Sequence, residues 1–348
     1  MYLTENEIFS QYESARKTYN YILSKADLIN NLRKNYNYKS ITFIGCGSGY
    51  ALCQSAEMSA RINIGIPSTA LAGGDLLVNM SCFESILKET LLVCPSRSGS
   101  TSEVVLSVKE IKSKYSVPCI AICAVENSEL SKLADLTLEI PWAFDESVCQ
   151  TRTVTNLYIA NLLLIAIIAE NKKLIEEIWE AIKNGDKYIE NNLQVLKDIS
   201  AKDSWNKVVV LADCELQGIA AEGAIAFNEI CQLPSNYYHL LDVRHGPMVL
   251  IDSKTLVIAA CSSSGIEFQK DLIRDIKKLG ATIIIVSNSK EYFNDENVDV
   301  NIVIPNYINM AVTGIPFINI AQIISYYKAL NIGINPDFPK GLNPWIKL

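Results

Sequence analysis

Thr90-Leu91-Leu92-Val93-Cys94-Pro95-Ser96-Arg97-Ser98-Gly99-Ser100-Thr101-Ser102-Glu103 is the stretch that decides the fold. It opens on a short apolar run, bounded like a buried strand. Beyond Glu103 the apolar residues Val104, Val105, Val108 and Ile111 fall at helical spacing. Ser100 with Glu103 three positions later reads as a capping box. Strand, hydroxyl-rich turn and helix start therefore meet at one point. A helix start leaves N–H groups unpaired and carries the positive end of the dipole, which suits an anion. Ser96, Ser98, Ser100 and Thr101 bring four hydroxyls there, and Arg97 brings a guanidinium. The set suits a phosphate monoester. A capped helix with a solvated turn would look the same, so the turn alone does not decide the ligand.

Upstream, Ile41-Thr42-Phe43-Ile44 is a strand that runs into Gly45-Cys46-Gly47-Ser48-Gly49-Tyr50, then a helix from Ala51 to Ile64. Further strands are expected near Pro67 to Leu71, Val117 to Ala124 and Leu136 to Pro141, with helices between most of them. Such alternation predicts an α/β fold: a parallel sheet covered on both faces. Ligands in these sheets sit beyond the carboxyl ends of the strands. Both turns, 45–50 and 95–102, lie at that edge.

Residues 1–36 carry helical patterning (Ile8, Tyr12, Ala15, Tyr19, Ile22, Leu23) and predict an N-terminal arm. The longest apolar run, Leu157 to Ala169, contains Asn161 and falls short of the roughly 20 residues a membrane span needs; it reads as a buried helix. Lys172 to Ser200 is rich in Lys and Glu and reads as an exposed connecting helix.

At Lys207 the pattern restarts. Ile41 to Ile44 corresponds to Val208 to Leu211, and the Thr90 strand with its serine turn corresponds to Thr255-Leu256-Val257-Ile258 and Cys261-Ser262-Ser263-Ser264-Gly265. Val117 to Asn127 corresponds to Thr282 to Asn288, and Leu136 to Pro141 to Val300 to Pro305. Two copies of one domain explain this, with boundaries expected at 37–171 and 204–330, a connecting helix at 172–203 and a tail at 331–348. The glycine turn 45–49 becomes Asp213-Cys214-Glu215-Leu216-Gln217 in the second copy, so the copies differ in task.

At 348 residues, 49% hydrophobic and 20% charged, the chain is globular and long enough for two domains. A net charge of −7 gives no basic surface for nucleic acid. The ten cysteines form no C-x-x-C pair, and several sit inside apolar runs as small hydrophobes. That fits a reducing cytoplasm. The start is polar and lacks a signal-peptide core. Two histidines, His239 and His245, are too few for a histidine-rich metal site, so no metal or cofactor is expected. Gly45-Cys46-Gly47-Ser48-Gly49 has the wrong spacing for a dinucleotide turn, and no acidic residue ends the next strand.

Ile219 to Cys231 reads as a helix on which Glu222, Ala226 and Glu229 share one face. Two carboxylates beside apolar residues are costly unless paired or used, although a solvated face is the ordinary reading. Leu241-Asp242-Val243-Arg244-His245-Gly246-Pro247 follows; a lone histidine before a Gly-Pro turn is ordinarily a plain loop residue.

Read together, these segments resemble the sugar isomerase (SIS) family, in particular the isomerase half of glucosamine-6-phosphate synthases, over about residues 40–345. Ser96 to Thr101 resembles the family's S-x-S-G-x-T phosphate loop, and Gln150-Thr151-Arg152 its S-T-K segment. Glu222-Gly223-Ala224 through Glu229 resembles E-G-A-x-x-x-x-E, Arg244 to Pro247 resembles K-H-G-P, and Asp337 to Leu342 resembles the D-x-P-R-x-L tail. The resemblance implies two tandem SIS domains, each a flavodoxin-like parallel sheet with helices on both faces. It implies a phosphosugar substrate held by Ser48, Ser96, Arg97, Ser98, Thr101, Thr151, Arg152 and Glu222. It also implies Glu229 as the enolisation base and His245 as the ring-opening group, supplied by the partner subunit of a homodimer.

The implied chemistry is aldose–ketose isomerisation or deamination of a hexose 6-phosphate or its amine. Deglycation of a fructosamine 6-phosphate and non-catalytic sensing of a sugar phosphate are the alternatives. There are departures from the family pattern. Gly49 and Ala226 stand where the synthases carry a serine and a lysine, and Pro344 stands at the lysine that follows the tail motif. Lys340 and Lys347 lie near it without an assigned role. Position 2 is Tyr2 rather than a nucleophilic cysteine, and no glutaminase segment is seen, so glutamine-dependent amination is not expected.

Overall fold

A computed structural model describes residues 2–292, 295–342 and 348. Two helices open the chain, α1 (Leu3–Ser24) and α2 (Ala26–Asn35). The first sheet follows through β1 (Ser40–Gly45), α3 (Ser48–Ile64), β2 (Ser68–Ala72), α4 (Gly73–Val78), α5 (Glu84–Leu87), β3 (Thr90–Ser96), α6 (Ser102–Lys114), β4 (Cys119–Cys123), α7 (Glu129–Leu133) and β5 (Leu136–Glu139). Helices α8 (Arg152–Ile168) and α9 (Lys172–Ser200) lead to β6 (Lys207–Leu211), α10 (Gln217–Ile230) and β7 (Ser235–Tyr238). Then come β8 (Thr255–Cys261), α11 (Ile266–Lys278), β9 (Thr282–Ser287), β10 (Val300–Val303) and α12 (Met310–Asn331).

The sheets run β2-β1-β3-β4-β5 and β10-β9-β8-β6-β7, with every pairing parallel. They are the same topology written twice. In each, the strand order reverses at one point, between β1 and β3 in the first sheet and between β6 and β8 in the second. The carboxyl ends of the strands at such a switch point are where ligands sit in open parallel sheets.

Side-chain alternation sorts the core into three. Ile41, Phe43, Leu91, Val93, Ile120 and Ile122 of the first sheet share one cluster with Val208, Val210, Leu256, Ile258 and Ile284 of the second. Helices α8 and α12 and the apolar stripes of α1 and α9 fill that cluster. The opposite faces carry separate clusters, with Leu92, Cys94 and Ala121 on the first sheet and Val209, Leu211 and Val257 on the second. Neither copy closes its core alone, because half of each sheet's buried side chains face the shared layer.

Two elements differ from the sequence expectation. The Lys172–Ser200 helix is not simply exposed: Leu174, Ile178, Ala181, Ile182 and Ile189 form a buried stripe, as an amphipathic helix requires. Strand β7 was not expected; it is short and polar, with two of its four residues exposed, and sits at the edge of its sheet. Helix α12 is long and apolar enough by composition to cross a membrane, yet its side chains are buried within the fold as a core helix.

Candidate active site

The organising turn sits where β3 hands over to α6. Gly99 takes φ +60°, and a Cβ there would lie 2.2 Å from Ser128 Oγ, so both backbone and space exclude a side chain. The Ser96 hydroxyl accepts the Gly99 N–H at 3.0 Å, and the Ser98 hydroxyl accepts the Ser100 N–H at 3.2 Å. The expected capping box does not form. Thr101 is the N-cap and makes no side-chain cap bond, which leaves Ser100 one position too far out to pair with Glu103. The first N–H groups of α6 are thus left without a side-chain acceptor. A depression of about 50 Å³ opens above them, lined by Ser96, Arg97, Ser98 and Thr101 together with Cys46, Gly49 and Gln150.

Arg97 is buried, and its Nη1 donates to the carbonyls of Ser147 and Val148 at 2.9 and 3.0 Å. Those carbonyls belong to a loop that is itself heavily tied. Asp145 is fully buried, and its Oδ2 accepts the N–H groups of Thr151 and Thr153, both at 2.8 Å. Burial, then the nearby Glu7 carboxylate, push Asp145 up to about 7.

The second sheet contributes a helix to the same place. Gly218 near the start of α10 lies so close to α3 that a Cβ would sit 2.1 Å from the Ala51 carbonyl oxygen. This approach lays the Glu222–Glu229 face of α10 against the start of α3. Glu222 is buried, its carboxyl faces the Ser48 hydroxyl, and its pKa is raised well above the usual range by burial and then by Glu229. Burial pushes Glu229 up to about 7, with the Arg97 charge pulling in the opposite direction. A carboxyl poised near neutrality beside a cation can exchange a proton with a bound molecule.

Sequence comparison bears directly on this geometry. Residues 36–167 and 203–330 both match the SIS domain. The chain belongs to the SIS domain family. A curated relative is glutamine–fructose-6-phosphate aminotransferase of Wigglesworthia glossinidia brevipalpis, 25% identical over 364 residues; the match covers 97% of this chain and 57% of the relative. The enzyme of the same name from Caldanaerobacter subterraneus is 29% identical over 270 residues, 74% of this chain and 44% of the relative. The chain spans about half the length of these relatives.

Among solved structures, glucosamine-6-phosphate deaminase of Thermotoga maritima superposes with a TM-score of 0.82 and 26% identity, covering 99% of this chain and 100% of that one. Tagatose-6-phosphate ketose/aldose isomerase of Escherichia coli superposes with a TM-score of 0.85 at 20% identity, covering 99% and 97%, and shares the fold.

Of the ten anticipated residues, four line the depression: Ser96, Arg97, Ser98 and Thr101. Glu222 and Glu229 are not among its lining residues and lie on the neighbouring face of α10. Ser48 is only 5% exposed and lies beside Glu222, outside the lining of the depression. Thr151 is fully buried, with its hydroxyl unpartnered, and the preceding Gln150 takes its place on the lining. Arg152 points away. It donates to Ser10 Oγ and the Phe144 carbonyl and lies 3.6 Å from Asp145, tying α8 to the N-terminal arm.

His245 sits on an exposed loop after β7, apart from the depression lining, near the exposed Leu241, Val249 and Leu250. Of the tail, the Asp337 carbonyl accepts the Val148 N–H at 3.0 Å, and Leu348 N donates to Ser102 Oγ at the start of α6. Lys340 is exposed. Pro344 and Lys347 lie outside the described residues.

Gln150 opens the segment resembling S-T-K but was given no role there, and Asp145 and Glu7 escaped the sequence reading. Asp145 lies five positions before that segment without belonging to its pattern, and Glu7 meets the site only through the fold.

Proposed function

We propose that this SIS protein is a phosphosugar isomerase-type enzyme acting on a hexose 6-phosphate or its 2-amino derivative. The phosphate binds at the turn, held by the hydroxyls of Ser96, Ser98 and Thr101 and the open N-terminus of α6. Glu229 as carboxylate removes the proton at C2 of the ring-opened aldose, leaving an enediol, or an enolamine when C2 carries nitrogen. The same carboxyl returns the proton to C1. With a hydroxyl at C2 the product is the ketose phosphate. With an amine, protonation at C1 gives the C2 iminium; water adds, ammonia leaves, and the ketose phosphate results. Neutral Glu222, next to Ser48, adds a hydrogen-bond donor without a second negative charge.

The observation that carries this reading is Glu229, a carboxyl raised to about 7, facing Arg97 beside the serine turn. Likeness over the full length of a glucosamine-6-phosphate deaminase supports the amino sugar within the class. The protein works as a homodimer in which the partner's copy supplies His245 for ring opening; its exposed place among apolar side chains supports this. The reading is tested by offering hexose and 2-aminohexose 6-phosphates to the protein and to Glu229→Gln. Ketose phosphate formed by the first protein only, with ammonia from the amino substrate, is the expected result; turnover unchanged in the variant refutes it.

A further inference from the structure

Helix α1 carries a carboxylate that reaches the site through two intermediaries. Glu7 is 2% exposed. Its Oε1 accepts the N–H groups of Glu146 and Ser147 at 2.7 and 3.1 Å, and its Oε2 takes the Ser147 hydroxyl. The carbonyl of that same Ser147, and the next one at Val148, hold the Arg97 guanidinium. The Val148 N–H is held in turn by the Asp337 carbonyl, while the Asp337 carboxylate accepts Leu3 N, Thr4 N and Thr4 Oγ1 at 2.8 to 2.9 Å. The peptide carrying the two Arg97 acceptors is therefore fixed from its N–H side by the first turns of α1 and by the tail. Both partners lie outside the two SIS segments.

We infer that Glu7 is a positioning residue for the reaction. By fixing the 146–148 peptides it sets where the Arg97 charge stands, and so the protonation of Glu229. The inference rests on the reading of Glu229 as base for its consequence, but not for its test. The groups facing Glu229 are Arg97, Glu222 and Cys149; those facing Arg97 are Asp145, Glu229, Cys149 and Glu7.

The sign of the effect separates positioning from simple charge removal. Deleting a negative charge would by itself ease ionisation of a neighbouring carboxyl and lower its pKa. Releasing Arg97 withdraws a stabilising cation and raises it. The test is a titration of the Glu229 carboxyl by carbon-13 NMR, its signal assigned from its absence in Glu229→Gln. Four proteins are compared: wild type, Glu7→Ala, Glu7→Gln and Thr18→Val.

Thr18 bonds Asn156 and Trp142 on the same arm and touches neither the loop nor Arg97, so its variant controls for a loosened α1. Glu7→Ala is expected to raise the Glu229 midpoint by up to about one unit and to lower kcat/KM roughly tenfold or more. Glu7→Gln keeps an acceptor oxygen but drops the charge, so its midpoint is expected at or slightly below wild type; Thr18→Val is expected to stay near wild type. A midpoint unmoved or lowered in Glu7→Ala overturns the inference, as does an equal rise in Thr18→Val. Should Glu7→Ala not fold, Ser147→Ala removes the hydroxyl bonds to Glu7 and to the Cys149 carbonyl while keeping the Glu7 charge, and a raised midpoint is again expected. Turnover surviving in Glu229→Gln would instead fault the assignment of the base, and the midpoints would still decide the role of Glu7.

Discussion

Ser48, in the first turn of α3, stands beside the buried carboxyl of Glu222 on α10, so the two SIS copies meet at the edge of the proposed active site. Burial, then Glu229, raise the pKa of that carboxyl well above the usual range. A neutral amide can take its place. Glu222→Gln should fold as well as wild type at pH 7, whereas Glu222→Ala should lose about 1–3 kcal/mol by leaving a void between α3 and α10. Urea unfolding of the two variants checks this; equal losses would contradict the raised pKa.

Glu229 makes stability depend on pH with a definite sign. Its pKa is about 7 in the folded protein against about 4.5 ordinarily. The folded state therefore binds more protons across that window, and stability falls as pH rises from about 4.5 to about 7. The penalty reaches about 3 kcal/mol above neutrality. Glu229→Gln should then unfold at higher denaturant than wild type at pH 8 and lose most of that advantage at pH 4.5. The same group predicts a kcat/KM that declines below about pH 7.

The close approach at Gly218 gives a steric prediction. A methyl group there meets the Ala51 carbonyl and the Ser55 N–H, both backbone, at 2.1 and 2.7 Å. Neither can rotate away, so α3 and α10 must separate. Gly218→Ala should cost roughly 1–3 kcal/mol and should also displace Glu222 from Ser48, so kcat/KM should fall along with the melting temperature. A variant as stable and active as wild type would mean that the two helices are not packed this way.

The exposed position of His245 predicts complementation. Glu229→Gln and His245→Ala should each be inactive alone. Mixed after co-refolding, they should regain about a quarter of wild-type activity, since half the dimers are mixed and one of the two sites in each carries both native residues. No recovery, with mixed dimers verified by tag exchange, would place both residues in one subunit's site or remove His245 from the reaction.

How far the sequence showed all this depends on separation along the chain. The β3–α6 turn was readable because strand, hydroxyls and helix start lie within one short stretch. The doubling was readable because apolar runs recur in order. The capping box was misread because Ser100 and Thr101 are both good caps, and only the backbone decides which one starts the helix. Strand β7 was invisible because Ser235-Asn236-Tyr237-Tyr238 gains its place from pairing with β6 rather than from an apolar run. Arg152 resembles a ligand-binding lysine in its local motif, but Asp145 and the α1 arm claim its side chain. The Glu7–Ser147–Arg97 chain joins residues some 140 and 50 positions apart. No local pattern could show it.

The central claim is that one carboxyl, Glu229, carries the proton between C1 and C2 of a sugar gripped by its phosphate. It is tested most directly by incubating wild type and Glu229→Gln with glucosamine 6-phosphate in deuterated water and following C1 and C2 by NMR, with binding measured in parallel. Deuterium entering the sugar carbons with wild type only, while both proteins bind the substrate equally, is the predicted result. Exchange at an undiminished rate in Glu229→Gln would contradict it.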